Sequence, residues 1–557
     1  MQDMLRTAIA DAIAAAVADE SLPELDVPEF TVEEPPRQDM GDFACNVAMM
    51  LAKPARKSPR DIAQIVIDHI PELSVLDRVE IAGPGFLNLY VSNDWLYVAL
   101  RECIKGDGAY GRSDIGAGQK IQVEFVSANP VGPLHIGNAR GGPYGDVLAS
   151  IFEFCGYEVE REYYVNDGRD NTQLQTFGRS IRLRYLELLG ETIEFPEDLY
   201  QGDYVVDFAQ RLLDEQADAL RDLPDEADTW VTFADIVVAW VLESLKADLG
   251  DFGIEFDVWF SERTLHDKGA VLAEIDRLVE MGVAYEKDGA IWLKTQEHGD
   301  DEDRVLIRQG GAPTYIASDL AYARDKYARG ADKVIYVWGP DHAGYVPRMR
   351  AAVEAIGIDL NQAEFVISQI VRFLRDGEVV RLSKRKGSVV TLRSLMDEIG
   401  RDAARFHFLM RTIESHMDFD LTLAGKQANE NPVFYVQYAH TRTCGVLRKA
   451  ENEGFQVPAI DDAKLELLEH PDELALLRKI SDFPGDVEAA AATLGPHRLT
   501  TFAREISALF HQFYTTCRVM DPAQPELTGA RLCVVKGTRV ILATICRLLG
   551  ITAPETM

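Results

Sequence analysis

At 557 residues the chain is long enough for about three or four domains, each with its own core. Its 57 Lys and Arg face 91 Asp and Glu, a formal net charge of −34 at pH 7. That balance excludes a uniformly basic nucleic-acid coat, but not local cationic patches that bind phosphate, and it sets the expectation of a very soluble cytoplasmic protein.

The N-terminal apolar run is alanine-rich and interrupted by Asp3, Asp11 and Asp19, which argues against a signal peptide or a membrane span. Leu5, Ile9, Ile13 and Val17 recur every four residues and predict an amphipathic helix ending before Pro23. Strand-like and helical segments follow to about Leu100, and the glycine-rich stretch 106–118 marks a domain boundary. A core begins at Gln119. Residues 121–126 alternate apolar with polar side chains and predict a strand. Gly132, Pro133 and Gly137 then break the chain before a predicted helix over 139–155, carrying Val147, Ile151 and Phe154. After Tyr163, helical and acidic sequence over roughly 174–249 interrupts the α/β rhythm as an insertion would. The acidic run 298–303 is expected to be a solvated loop rather than a metal site. Alternation returns near Val305, and Val334 to Trp338 predicts a buried strand ending at Gly339. From about Asp402 to Met557 the pattern is helical, with Phe502, Ile506, Leu509 and Phe513 on one face and Ile541, Ile545 and Leu548 on another. The cysteines at 45, 103, 155, 444, 517, 533 and 546 are odd in number, scattered and free of C-x-x-C, so reduced thiols are expected and no zinc site.

Two short segments carry chemistry. Residues 127–140 read S-A-N-P-V-G-P-L-H-I-G-N-A-R, and residues 381–387 read R-L-S-K-R-K-G. A strand, a glycine-containing turn and a helix N-terminus make a site where backbone N–H groups and the helix dipole meet an anion. Gly137 leaves room for a nucleotide base against the backbone, and His135 and Asn138 can each donate a hydrogen bond, although Asn138 never carries charge. A lone H-x-G-N is most often an ordinary turn. Its support is the cationic cluster Ser383, Lys384, Arg385, Lys386 before Gly387, in a chain where cations are outnumbered. When a carboxylate attacks the α-phosphate of ATP, negative charge builds on the departing pyrophosphate, and fixed cations stabilise it. In this order and at this separation the two segments resemble the HIGH and KMSKS signatures of class I aminoacyl-tRNA synthetases.

The resemblance extends to arginyl-tRNA synthetases over essentially the whole chain. It is carried by V-E-F-V-S-A-N-P-V-G-P-L-H-I-G-N-A-R, D-R-V-L-I-R-Q-G-G-A-P-T-Y-I-A-S-D-L-A-Y, V-I-Y-V-W-G-P-D-H-A-G-Y-V-P-R-M, L-S-K-R-K-G-S-V-V-T-L, E-N-P-V-F-Y-V-Q-Y-A-H-T-R and the closing G-I-T-A-P-E-T-M. It implies an α/β multidomain enzyme with a Rossmann-type parallel-sheet core. An N-terminal α+β module over 1–110 would meet the tRNA elbow. The catalytic domain would span 119–400 with an insertion about 170–300, and 401–557 would form an all-α anticodon-binding domain. The implied reaction joins L-arginine to tRNA(Arg) through an arginyl-adenylate, releasing AMP and pyrophosphate, with activation dependent on bound tRNA. Mg²⁺ would arrive on the phosphates of ATP, without a dedicated metal site. A cytoplasmic monomer with no membrane partner is the expected state.

Residue by residue, the resemblance implies that His135, Asn138 and Lys384 are catalytic, and that ATP meets Pro133, His135, Gly137, Asn138, Leu382, Ser383, Lys384 and Arg385. The arginine pocket would comprise Glu124, Ser127, Asn129, Tyr315, Asp319 and His342. The chemistry agrees, since a guanidinium is planar, always charged and best held by carboxylates with an aromatic alongside. Tyr315 and Asp319 lie four apart, on one face of a helix. Contacts to tRNA would come from Phe43 and Asn46 in G-D-F-A-C-N, and from Tyr435, Tyr438 and Arg442, which share one helical face suited to stacking bases and meeting phosphates. Such a stripe also suits core packing. Two departures stand out: Asn138 replaces the usual last histidine of the first signature, and Lys384 keeps a lysine that many relatives lack. The rival readings are a small-molecule nucleotidylyltransferase, which would have no use for the helical C-terminal region, and a catalytically silent tRNA-binding paralogue.

Overall fold

The structure is a computed structural model that describes residues 2–33, 35, 37, 40–73, 75–380 and 390–557. The four-residue spacing at the start of the chain yields α1 (Gln2–Ala18), with Leu5, Ile9 and Ile13 fully buried. It is followed by β1 (Val32–Glu33), β2 (Phe43–Cys45), α2 (Val47–Ala55), α3 (Pro59–His69), β3 (Leu76–Ala82), β4 (Phe86–Val91) and α4 (Asp94–Gly106). Ser58 starts α3 by accepting a hydrogen bond from the Asp61 N–H, with Pro59 at the first helical position, where its missing N–H costs nothing. The strands form an antiparallel sheet in the order β1-β2-β4-β3. Leu51, Ile62, Val66, Leu87 and Leu89 close its core with α1.

The next region builds the site. Its elements are β5 (Lys120–Glu124), α5 (Gly141–Phe154), β6 (Glu158–Val165), α6 (Thr172–Leu188), α7 (Asp203–Gln216), α8 (Ala227–Asp251) and β7 (Val258–Ser261). Then come α9 (Arg263–Asp267), α10 (Ala270–Glu280), the antiparallel strands β8 (Ala284–Lys287), β9 (Ala290–Leu293) and β10 (Arg304–Ile307), and α11 (Tyr315–Ala328). β11 (Lys333–Trp338), α12 (Val346–Ala355) and β12 (Ala363–Ile367) complete the layer. Five of these strands pair in parallel in the order β12-β11-β5-β6-β7. From β5 the chain steps to β6 and β7 on one side, and β11 and β12 lie on the other. The order therefore reverses between β5 and β11, and ligands of such sheets bind at the carboxyl ends of the strands at that switch point.

The remainder comprises β13 (Val371–Arg375), β14 (Glu378–Val379), α13 (Leu392–Ile399), α14 (Arg401–Leu409), β15 (Met417–Asp420), α15 (Leu421–Ala424) and four long helices. These are α16 (Pro432–Asn452), α17 (Pro471–Ala492), α18 (His497–Thr516) and α19 (Pro525–Leu548). The chain divides into two compact units, one holding 1–106 with 449–481 and 512–537, the other 107–448 with 482–511 and 538–557. The expected α/β multidomain class is observed, and no helix among the described residues is long and apolar enough to cross a membrane.

Three local expectations need correction. The strand expected over 121–126 ends at Glu124, because Val126 and Ser127 take positive φ of 68° and 39°. The span expected as one insertion, about 170–300, contains β7, which is a strand of the central sheet. The region expected to be wholly helical contains β15, which pairs in parallel with β13. The acidic run 298–303 is solvated at Asp301 and Glu302, 82% and 67% exposed, while the Asp300 side chain is 5% exposed and sits 2.7 Å from Arg304 Nε.

Candidate active site

The H-I-G-N segment lies between β5 and α5. His135 caps a short turn, Ile136–Asn138, and its Nδ1 accepts a hydrogen bond from the Gly137 N–H at 3.0 Å. The neutral ring therefore carries its proton on Nε2. A Cβ on residue 137 would lie 2.9 Å from that Nδ1, so any side chain there would displace the His135 ring. A Cβ on Gly132 would lie 2.7 Å from the Tyr204 ring, which α7 brings against the segment. Gly137 and Asn138 are exposed and Pro133 is half-buried. Arg140, 1% exposed, donates to the carbonyls of Gln369, Ser415 and Thr412. Burial, aided by the like charge of Arg411, pulls its pKa down to about 10.

Leu382, Ser383, Lys384 and Arg385 lie outside the described residues. The chain that follows them does not. Ile136 N–H donates to Val390 O at 3.0 Å, Leu392 N–H donates to Leu134 O at 2.9 Å, and His135 faces Thr391 across an antiparallel bridge. Residues 390–392 thus run alongside the first signature.

Of the residues expected to hold arginine, Glu124, Ser127 and Asp319 are brought close to one another at the carboxyl edge of the sheet. Glu124, 4% exposed, ends β5 with Oε2 2.8 Å from Lys326 Nζ. The left-handed turn at Val126 and Ser127, costly for a β-branched residue, aims Ser127 Oγ back at Glu124 Oε1 (3.2 Å) and under the Tyr164 N–H (3.1 Å). Asn129 donates to Gln173 on α6 at 2.8 Å. Asp319 on α11 accepts from the Tyr345 hydroxyl at 2.5 Å. Removal from water, with the negative charges of Glu262 and Glu124, pushes the Asp319 carboxyl up to about 7 despite that hydrogen bond. Tyr315 opens the same helix one turn earlier and is 62% exposed. His342 is exposed; its ring is 5.5 Å from Trp338, and its carbonyl accepts from the N–H of Tyr345.

Glu262, Tyr164, Tyr345 and Lys326 went unmarked in the sequence. Glu262, 7% exposed, follows β7, and burial raises its carboxyl with Asp167 adding to the effect. Tyr164 lies among Glu262, Asp319 and Glu124, so its hydroxyl is held well above its ordinary pKa, mainly by burial. A signal existed: V-W-F-S-E places an acid at the end of a strand, as V-E-F does for Glu124.

Of the expected tRNA-contacting residues, Phe43 is 6% exposed and belongs to the N-terminal core, so it is a packing residue and not a contact surface. Asn46, at the start of α2, is exposed. Tyr435 and Tyr438 flank His511, at ring distances of 5.1 and 5.9 Å, and Arg442 Nη1 lies 3.2 Å from His511 Nδ1. The three do share a face, half-buried around one imidazole, whose pKa burial and Arg442 depress to about 4.

Three family descriptions match the sequence: "Arginyl tRNA synthetase N terminal domain" over residues 3–91, "tRNA synthetases class I (R), catalytic domain" over 101–410, and "DALR anticodon binding domain" over 436–557. Arginine–tRNA ligase from Moorella thermoacetica is 46% identical over 99% of this chain and 98% of its own length. The protein of that name from Citrifermentans bemidjiense is 46% identical over the whole of both chains. The fold is similar to the Thermus thermophilus arginyl-tRNA synthetase, with a TM-score of 0.75, 23% identity and full coverage of both chains. A parallel sheet with buried carboxylates at its switch point, an H-I-G-N turn beside them and relatives matched from end to end lead to one assignment: the chain belongs to the class I arginyl-tRNA synthetase family.

Proposed function

We propose that the chain ligates L-arginine to its cognate tRNA in two steps: attack of the arginine carboxylate on the α-phosphate of ATP, then transfer of the arginyl group to the tRNA. The observation that carries this reading is that Glu124, at the end of β5, and Glu262, after β7, lie close enough to Asp319 for their charges to act on it, an acidic cluster suited to a guanidinium. His135, Gly137 and Asn138 would meet ATP, with Mg²⁺ carried on its phosphates; Pro133 and the segment with Leu382, Ser383, Lys384 and Arg385 would complete that site. Ser127 and Asn129 would orient the amino acid, with Tyr315 and His342 at its rim. Asn46, Tyr435, Tyr438 and Arg442 would face tRNA. The modules 1–110, 119–400 and 401–557 would serve the tRNA elbow, the chemistry and the anticodon in turn; the three matched descriptions support that division. The acidic composition and the free cysteines support a cytoplasmic protein, and a monomer is the proposed state. The silent-paralogue alternative has no support among relatives that carry the ligase name over their full length.

ATP–pyrophosphate exchange with each amino acid, with and without tRNA, tests the proposal. Only arginine should support exchange, and exchange should stay negligible until cognate tRNA is added. Exchange with a different amino acid would sink the assignment, whereas brisk arginine exchange without tRNA would remove only the tRNA requirement.

Asp319→Asn should lose a charge-assisted hydrogen bond of about 1.5–3 kcal/mol, roughly 10- to 150-fold in kcat/KM for arginine, with the KM for ATP little moved. The wild-type profile should also bend with pH. The free carboxyl, raised to about 7, holds a proton below that pH, and an incoming guanidinium must displace it. Arginine kcat/KM should therefore be flat above pH 7 and fall by about tenfold per unit well below it. Asp319→Asn should erase this bend. A variant keeping the same bend would take Asp319 out of the pocket.

A further inference from the structure

Lys326 is fully buried, on the same helix as Asp319 and two turns further along it. Three oxygens surround its Nζ: Gln122 Oε1 at 2.7 Å, Glu124 Oε2 at 2.8 Å and Glu162 Oε1 at 2.9 Å. They match the three donors of an ammonium. The Tyr322 and Tyr336 rings lie 4.3 and 5.0 Å from it and close the apolar sides. The two carboxylates are not equally dependent on this cation. Glu162 also receives Arg329 Nη2 at 2.6 Å and the Tyr322 hydroxyl. Burial alone would raise the Glu162 carboxyl, but Lys326, Tyr322 and Arg329 together hold it below its ordinary value. Among the described residues, Glu124 pairs with Lys326 and with the neutral hydroxyl of Ser127. Gln122 precedes Glu124 by two positions on β5 and so shares its face, and Lys326 on α11 reaches both from that face of the sheet.

We infer that Lys326 is a positioning residue for arginine recognition: it fixes the Glu124 carboxylate and balances its charge, leaving Asp319 to answer the incoming guanidinium. The inference rests on the proposed function. It assigns different tasks to two acids that look equivalent in sequence. Glu124 is a fixed acceptor whose charge is already matched inside the protein, and Asp319 is the carboxylate that loses its proton to solvent as the guanidinium binds.

Lys326→Met alone takes the cation from buried Glu124 and one of two cations from buried Glu162 and is expected to destabilise the fold, so the decisive variant is the charge-balanced Lys326→Met/Glu162→Gln. In tRNA-supported pyrophosphate exchange this folded double variant should raise the KM for arginine at least about tenfold, with kcat and the KM for ATP within about threefold. Glu162→Gln by itself keeps Lys326 on Glu124 and should leave the arginine KM near wild type. A double variant with the wild-type arginine KM overturns the inference. So does an equal KM rise in Glu162→Gln, because the network as a whole, and not Lys326, would then be responsible. Wild-type enzyme that shows no arginine-dependent exchange is a separate failure, that of the proposed function, and is visible before any variant is made.

Discussion

Lys384→Ala is expected to slow adenylate formation by roughly 100- to 1000-fold, equivalent to about 2.7–4 kcal/mol by analogy with removing one oxyanion donor. Lys384 would act where negative charge moves onto the leaving pyrophosphate, so kcat should fall more than KM rises. Arg385 and Lys386 are close enough in the chain to compensate in part, which favours the lower end. Residues 390–392, which follow in the chain, are hydrogen-bonded alongside Leu134 to Ile136, next to the histidine that would meet the same phosphates. Asn138→His is the natural contrast, because it exchanges one exposed donor for another and should change the rate by less than about tenfold. Single-turnover adenylate formation is the measurement, since product release can mask the chemical step. Wild-type adenylation by Lys384→Ala would reduce the segment to a solvated basic turn.

Arg405→Met should cost about 3–5 kcal/mol of stability, the usual penalty for deleting one side of a buried charge pair. The side chain is fully buried on α14 and donates to the carbonyls of Phe252, Gly253 and Leu549 and to Asp146 Oδ2 on α5, at 2.5 to 3.1 Å. Methionine fills much of the space but leaves three carbonyls unpaired. Among the described residues, the Asp146 carboxylate would retain only Arg161, whose Nε is 3.5 Å from Oδ1. Gly550 belongs to the same construction, since a Cβ there would meet the Arg405 guanidinium at 2.2 Å. Urea unfolding should show the midpoint dropping with an unchanged slope. A loss below about 1 kcal/mol would mean that water or a shifted side chain replaces the guanidinium.

The parts of this protein written locally were legible without a structure. The strand, glycine turn and helix around H-I-G-N follow from period-two alternation, chain-breaking residues and period 3.6, all acting within a few residues. Tyr315 and Asp319 on one helix face, and Tyr435, Tyr438 and Arg442 on another, follow from the same periodicity. What local rules misjudged was short or strained: four-residue β15 in a helical region, and the abrupt end of β5, where Val126 and Ser127 adopt backbone angles that propensity disfavours. Phe43 was misassigned because an aromatic in a short motif reads the same whether it packs inward or outward. Tertiary structure alone decided the electrostatics. Glu262 becomes a neighbour of Asp319 because β7 joins a sheet that starts at β5. Lys326 becomes the partner of Glu124 and Glu162 across roughly 200 and 160 residues of chain. Periodicity can place a charged residue on a face, but its desolvation and its counter-ion come from atoms that only folding delivers. The sequence by itself therefore determined the family, the nucleotide signatures and the helix faces, while the fold decided which carboxylate is balanced within the protein and which remains for the substrate.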